Sequence, residues 1–177
     1  MTLTCLPQRP VAKVWGRRDL PAPFASVSAS QEPIGELHFE QAGHALLVKY
    51  LFTATKLSIQ VHPDGEAARR AGLPHGKDEA WYILAAEEGA VIGIGLQRSM
   101  SKDQLRASAL DGSIEQMLDW RPVRAGDVLY APAGTVHAIG AGISLIEVQQ
   151  NLDVTYRLFD YGRDRPLQLD EALAVAD

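Results

Sequence analysis

The chain has 177 residues, of which 46% are hydrophobic and 22% are charged, a composition typical of one globular domain and unlike that of a disordered protein. Its formal net charge of −5, without a basic stripe, argues against nucleic acid and anionic membranes as partners. The single cysteine, Cys5, excludes a disulfide framework and a cysteine-based metal cluster.

The N-terminal part of the sequence carries no sign of export. No apolar run approaches the roughly 18 residues that a membrane-spanning helix needs. The opening MTLTCLPQRP lacks the apolar stretch of a secretion signal, so we expect a cytoplasmic protein. We interpret residues 1–177 as a single domain. Its first part, 1–35, is rich in Pro, Ala and Ser and is predicted to be an irregular N-terminal arm with short strands.

Beyond this arm the pattern changes to that of β-strands. Apolar and aromatic side chains recur at every second position, first in 48–52 and then in 57–61. Residues 64–72 begin with Asp and end with Gly, which predicts a short helix. Two further strands are predicted at 79–86 and 90–96.

The second half of the chain contains one helical segment between strands. Residues 101–120 are predicted to be a short helical insertion of two helices, the first with Ser101 as its N-cap. Three more strands are predicted after it, at 121–134, 137–150 and 154–162. Many short strands, turns of Gly and Pro and little helix predict an all-β fold, either a sandwich or a barrel.

Four polar residues lie on or beside these strands. Gln60 and His62 are two positions apart, so on a strand their side chains share one face, while the apolar residues next to them point to the other. Glu79 opens the next strand, and His137 follows a Pro-Gly turn. Two imidazoles, a carboxylate and an amide oxygen that converge inside a barrel would bind a divalent metal. These donors suit Zn, Fe, Mn or Ni, and their spacing does not choose among them.

Each of these residues also has a purely structural interpretation. A single histidine on an apolar face is more often a hydrogen-bonded core residue than a ligand, and glutamine is an uncommon metal ligand. Glu79 would then be a solvated charge at the end of a strand. The residues alone leave both interpretations open.

The segment GDVLYAPAGTVH resembles the second motif of the cupin superfamily position by position. Gly126 is followed after five residues by Pro132, then after one by Gly134 and after two by His137. Glycines permit turn conformations that other residues avoid, and proline stiffens the approach to the histidine. The resemblance implies that His137 is the metal-binding histidine of that motif.

A longer resemblance covers residues 10–175. The segments IGELHFE, LSIQVHPD, GKDEAWYILAAEEGAVIGIGL and QQNLDVTYRLFDYGRDRPLQLDEAL, together with the cupin motif, are similar to type I mannose-6-phosphate isomerases. The similarity is to the short bacterial form, here without the C-terminal domain usual in that family. It implies a single cupin domain, a β-sandwich or jelly-roll barrel with a few short helices.

The resemblance also implies roles for eight residues. The zinc ligands, for one Zn²⁺ per chain, would be Gln60, His62, Glu79 and His137. The substrate-binding residues would be Lys49 and Glu147, and the catalytic residues would be Lys77 and Arg157.

The two catalytic candidates have simpler alternatives. Lys77 could form a surface ion pair with the acidic residues 78 and 79, and Arg157 a structural ion pair with Asp153 or Asp160. In the functional interpretation Lys77 carries the proton, because burial beside other cations favours the neutral amine that a base requires. Arg157 would stabilise a developing oxyanion.

These residues favour a zinc-dependent aldose–ketose isomerase that interconverts mannose 6-phosphate and fructose 6-phosphate through an enediol. One alternative is a metal-binding cupin that binds a sugar phosphate without turnover. Another is a different metal reaction on the same scaffold, such as that of an iron-dependent oxygenase. The expected partner is a small sugar phosphate, and exposed sheet edges are compatible with a homodimer.

Overall fold

The computed structural model describes residues 5–29, 32–40 and 43–177. These residues form two antiparallel β-sheets that pack face to face. The larger sheet contains, in spatial order, β1 (Gln8–Arg17), β2 (Ile34–Phe39), β3 (Leu46–Phe52), β10 (Ile143–Gln150), β5 (Glu79–Ala86) and β8 (Val128–Ala131). The smaller sheet contains β11 (Tyr156–Phe159), β4 (Ile59–Val61), β9 (His137–Ile139), β6 (Val91–Leu96) and β7 (Leu118–Pro122). This architecture confirms the all-β prediction.

Short helices complete the elements of the described residues. They are a 3-10 helix (Phe24–Ala29) and four α-helices, α1 (Gly65–Arg70), α2 (Lys102–Asp111), α3 (Ile114–Met117) and α4 (Leu169–Val175). Helix α1 starts where its cap predicts, because Asp64 Oδ1 accepts a hydrogen bond from Ala67 N at 2.7 Å. Ser101 caps α2 in a reciprocal pair with Gln104. Within the described ranges, no helix has the length and apolar character needed to cross a membrane.

Three segments differ from the sequence prediction in detail. Residues 8–17, in the arm expected to be irregular with short strands, form one ten-residue strand that pairs with β2. The strand predicted at 121–134 is divided into the end of β7 and β8 by a turn that the Asp127 carboxylate closes. The strand predicted at 137–150 is two strands, β9 and β10, because Gly142 adopts a φ of +74° that interrupts the extended backbone.

The short strand β4 separates core side chains from pocket side chains. Ile59 and Val61 are fully buried on the outer side of the smaller sheet, in a cluster with side chains of α2, α3 and α4. Gln60 points the other way, into the space between the sheets. Burial of each apolar side chain stabilises the fold by roughly 2 kcal/mol. This burial fixes the face of the strand on which Gln60 lies, as the alternation of residues predicts.

Candidate metal centre

Two histidines and a glutamate meet in the space between the sheets. His62 follows β4, Glu79 opens β5 and His137 opens β9, so three separate segments supply one side chain each. All three residues are buried, with exposures of 2%, 3% and 2%. One ligand atom from each lies within 4.8 Å of the others, a spacing that fits a single bound cation.

Backbone carbonyls orient the two imidazole rings. Nδ1 of His62 lies 3.0 Å from the carbonyl oxygen of Val154, and Nδ1 of His137 lies 2.9 Å from that of Thr135. Because a carbonyl oxygen only accepts hydrogen bonds, both Nδ1 atoms donate, which leaves Nε2 of each ring as the nitrogen that could bind a metal. Metal-binding histidines are commonly held in this way.

The Nε2 atoms of the two rings face the carboxylate of Glu79. Contact between a nitrogen lone pair and a carboxylate is unfavourable unless a cation lies between them. His62 Nε2 is 3.2 Å from Glu79 Oε1, and His137 Nε2 is 3.5 Å from Glu79 Oε2. His62 Nε2 and Glu79 Oε2 are buried without a hydrogen-bond partner. Burial, against the opposing effect of Glu79, lowers the pKa of His62 to about 4, so this ring carries no extra proton at neutral pH. A divalent cation would satisfy these atoms together, so the residues fit a metal site.

Lys77 lies beside the same carboxylate. Its Nζ is 3.2 Å from Glu79 Oε1 and donates to the carbonyl oxygen of Val154 at 3.4 Å. Lys77 is only 5% exposed, so its contact is a buried ion pair and not the surface pair of the simpler interpretation. Burial alone would raise the pKa of Glu79, but with His62 neutral the charge of Lys77 still holds this pKa below its usual range. The carboxylate is therefore ionised.

Gln60 lies next to this cluster. Its Oε1 accepts a hydrogen bond from Ser58 Oγ at 3.0 Å, and its Nε2 donates to His137 Nε2 at 3.3 Å. The oxygen and the nitrogen of a side-chain amide have nearly the same shape. A half-turn of the Gln60 amide group would therefore exchange Oε1 and Nε2 and turn the oxygen towards the cluster. The structure thus brings the four predicted ligands together, although their roles as ligands stay predictions.

A polar pocket adjoins the cluster. Lys49 on β3 and Glu147 on β10 are paired directly in the larger sheet, and Lys49 Nζ lies 3.0 Å from Glu147 Oε1. Glu147 Oε2 also accepts a hydrogen bond from Trp81 Nε1 at 3.1 Å. Burial alone would lower the pKa of Lys49, but the carboxylates of Glu147, Glu36 and Glu79 raise it above its ordinary value. Lys49 is therefore a fixed cation in the pocket.

Arg157 reaches the pocket from β11, opposite Gln60 in the smaller sheet. Among the described residues its guanidinium has no carboxylate at salt-bridge distance, so the ion pair with Asp153 or Asp160 does not form. Its Nη1 donates instead to the neutral Gln168 Oε1 at 3.4 Å, and its Nε is buried without a hydrogen-bond partner. Arg157 is thus a pocket cation without a close counter-charge.

Comparison with known proteins relates this arrangement to a family of enzymes. No protein-family model matches the chain. A mannose-6-phosphate isomerase from Streptococcus mutans is 42% identical over 136 residues, which are 73% of this chain and 43% of the relative. The mannose-6-phosphate isomerase ManA from Bacillus subtilis is 40% identical over 139 residues, which are 75% and 44%. The chain is a homologue of the mannose-6-phosphate isomerases. It spans less than half the length of these curated relatives.

Solved structures agree with this relationship. The mannose 6-phosphate isomerase from Bacillus subtilis matches with a TM-score of 0.87 and 28% identity, covering 98% of this chain and 68% of that one. A variant of phosphomannose isomerase from Salmonella typhimurium matches with a TM-score of 0.70 over 99% of this chain and 74% of that one. At 14% identity, the second match shows a shared fold alone. Both confirm the predicted cupin-type barrel of two sheets.

Several pocket residues of this mannose-6-phosphate isomerase homologue were not predicted from the sequence. Those with charged or aromatic side chains are Lys13, Trp15, Glu36 and Arg165. Lys13 and Trp15 lie two positions apart on β1, an alternation inside the arm that we expected to be irregular. Glu36 lies on β2, within the quoted segment IGELHFE. Arg165 lies in the turn after β11, where no sequence pattern indicates a direction for its side chain.

Glu36 is the centre of a small charged network at the edge of the pocket. Lys13 Nζ lies 3.2 Å from its Oε1, and His38 Nε2 lies 2.5 Å from its Oε2. Burial alone would raise the pKa of Glu36, but His38, Lys49 and Lys13 lower it to about 2. This carboxylate is therefore ionised throughout the physiological pH range.

Proposed function

We propose that the chain is a metal-dependent isomerase that interconverts mannose 6-phosphate and fructose 6-phosphate. The observation that carries this proposal is the buried cluster of His62, Glu79 and His137, with Lys77 and Arg157 beside it in one pocket. Identities of 40–42% to relatives named mannose-6-phosphate isomerase support it. The reaction moves a hydrogen between C2 and C1 of the open-chain sugar through an enediol, so it needs no redox partner.

The charges of the pocket favour a phosphorylated sugar over a neutral one. Five cations line it, namely Lys13, Lys49, Lys77, Arg157 and Arg165. Three carboxylates line it as well, those of Glu36, Glu79 and Glu147. The excess of two positive charges, to which a metal ion adds, suits a phosphate monoester, whose charge at neutral pH is close to −2.

Gln60, His62, Glu79 and His137 would hold the metal. Their donors are nitrogen and oxygen atoms without a thiolate, a set that Zn²⁺ accepts, and we assign zinc as the native ion. When bound, zinc supplies a Lewis acid that polarises the carbonyl and hydroxyl oxygens of the sugar.

The chain's own residues would handle the proton and the developing charge. Lys77 is our candidate for the group that carries the proton from C2 of mannose 6-phosphate to C1, a transfer that consumes no proton overall. Arg157 stays charged and stabilises the negative charge that develops on the enediolate oxygens. Lys49 and Glu147, which pair at 3.0 Å, would orient the sugar hydroxyls.

The direct test is an assay of the purified, zinc-loaded chain with mannose 6-phosphate, in which a coupled enzyme detects fructose 6-phosphate. Turnover that depends on the loaded metal supports the proposal, and no turnover at full zinc occupancy overturns it. Binding of mannose 6-phosphate without conversion, measured by calorimetry, would identify a sugar-phosphate-binding protein instead. Metal analysis of the freshly purified chain tests zinc separately, because iron in its place would contradict that assignment.

A further inference from the structure

The outer face of the larger sheet, which points away from the smaller sheet, is covered by the chain itself only in part. Over β2 and β3, residues 20–29 lie on this face, where Leu20 and Phe24 join a buried cluster with side chains of both strands. The ring of Phe24 also packs against that of Tyr50 on β3, with centroids 4.6 Å apart. From β3 towards β8, the side chains of the same face become exposed.

Two rows of paired residues cross this part of the face, and each row takes one residue from each of β3, β10, β5 and β8. The first row is Tyr50, Ile146, Tyr82 and Val128, and the second is Val48, Val148, Ala80 and Tyr130. Residues paired across antiparallel strands point to the same side of the sheet. The residues between them on the same strands, such as Lys49 and Glu147, point to the pocket instead. We call these eight side chains, none of which is charged, the outer patch.

The outer patch exposes large apolar and aromatic side chains. Val128 is 73% exposed, Tyr130 is 60% exposed and Tyr82 is 45% exposed. An antiparallel sheet with one face in water normally alternates apolar residues inside with polar residues outside. These four strands place apolar or tyrosine side chains on both sides at the positions of the two rows. A contiguous apolar patch of this kind on a folded domain marks a surface that another molecule covers.

The charge and the size of the outer patch favour a second copy of the chain as its partner. The chain carries a formal net charge of −5, but the outer patch has no charged side chain, so two copies can meet there without contact between like charges. Interfaces of transient partners are little more apolar than the remaining surface, whereas homodimer interfaces are about 65% apolar. An interface of standard size takes about 800 Å² from each subunit, of which about 500 Å² would then be apolar. Eight side chains that include three tyrosines provide an area of this order.

We propose that the outer patch is the interface of a homodimer, in which the larger sheets of two copies pack face to face about a two-fold axis. In such a contact each copy contributes the same residues, and the facing sheets lie about 10 Å apart with interdigitated side chains. The pocket lies on the other side of these strands, where Lys49, Glu79 and Glu147 point. The inference is independent of the proposed function, because it requires neither a bound metal nor turnover.

Sedimentation velocity of the full chain tests this interface. The wild type should sediment as a dimer, with twice the chain mass of 19.3 kDa. Val128→Glu should weaken the dimer about a hundredfold or more, because each dimer would bury two unpaired charges. A wild type that stays monomeric at about 100 μM would overturn the proposal, since specific interfaces of this size have Kd values in the micromolar range or below. The outer patch would then belong to a different partner.

Leu110→Glu is the matched control for Val128→Glu. Leu110 is 66% exposed on α2, a helix that packs against the smaller sheet, so the variant adds the same charge at an exposed apolar position away from the outer patch. It should sediment like the wild type. A dimer that persists in Val128→Glu, or that is weakened equally in Leu110→Glu, would overturn the assignment of the interface. Val128→Lys serves if the Glu variant does not fold, because burial of an unpaired charge of either sign opposes association.

Discussion

Gln60 and Arg157 face each other across the antiparallel strands β4 and β11. Side chains of such a pair point to the same side of the sheet, so a predicted metal ligand and a predicted catalytic cation share one side of the pocket. Gln60 in turn contacts His137 at 3.3 Å. The pairing of two short strands therefore positions the guanidinium group relative to the metal ligands.

Arg157→Ala should keep the metal and lose most of the turnover. Arg157 makes its side-chain hydrogen bond with Gln168 and none with the His–Glu–His cluster, so its removal leaves the ligands in place. Loss of a group that stabilises an oxyanion lowers kcat by about 10²–10³-fold. The coupled assay measures kcat, and elemental analysis measures zinc. Arg121→Ala, an exposed residue paired with Asp119, should change neither quantity. Full activity in Arg157→Ala would show that the guanidinium group has no part in the reaction.

Zinc should stabilise the folded chain, and this effect should require His137. A ligand that binds only the folded state adds about 2.7 kcal/mol to the free energy of unfolding when its concentration is about 100 times Kd. For a domain of this size, that corresponds to a rise in Tm of roughly 5–10 °C. Thermal unfolding of the chelator-treated chain, with and without added zinc, measures the rise. His137→Ala should abolish it.

His75→Ala is the control for this zinc-dependent shift. His75 lies in the loop before β5, where its Nδ1 contacts the carbonyl oxygen of Gly76, and it is not a member of the His62–Glu79–His137 cluster. The His75 variant should show the same rise in Tm as the wild type. Retention of the rise in His137→Ala would remove His137 from the set of ligands.

The parts of the fold that follow local rules could be predicted from the sequence. The alternation of Ile59, Gln60 and Val61 places one side chain in the pocket and two in the core, because a strand exposes successive residues to opposite faces. The cap residues Asp64 and Ser101 mark the starts of α1 and α2 for an equally local reason. The grouping of the four predicted ligands was implied by the resemblance to a family. Local patterns could not predict it, because they do not show which distant strands pair.

The pocket residues that the sequence did not reveal depend on contacts between distant segments. Lys13 reaches the pocket because β1 pairs with β2, and a strand at the edge of a sheet has no local pattern that fixes its partner. Arg165 reaches it because Gln168 and Asp160 fold the turn back onto β11. The homodimer that exposed sheet edges suggested stays a prediction.

Two serines at helix starts should differ in their contribution to stability. Ser101 Oγ accepts a hydrogen bond from Gln104 N at 3.2 Å, whereas Ser113, the N-cap of α3, makes no such bond. Ser101→Ala should lower the free energy of unfolding by about 1 kcal/mol, and Ser113→Ala by less than about 0.5 kcal/mol. Urea denaturation of the two variants measures the difference. Equal losses of unfolding free energy in the two variants would show that the capping hydrogen bond of α2 does not stabilise the fold.

Glu36 should make the stability of the metal-free chain depend on pH. Its pKa is lowered from 4.5 to about 2 in the folded chain, so folding favours the ionised carboxylate. The resulting stabilisation, on the order of 3 kcal/mol, is fully present above pH 4.5 and is lost as the pH falls towards 2. Urea denaturation should therefore show that acidification below about pH 4.5 destabilises the wild type more than Glu36→Gln. Glu66→Gln, an exposed residue paired with Arg70, should follow the wild type. Parallel losses in the wild type and in Glu36→Gln would mean that the contacts with Lys13 and His38 do not favour the ionised form.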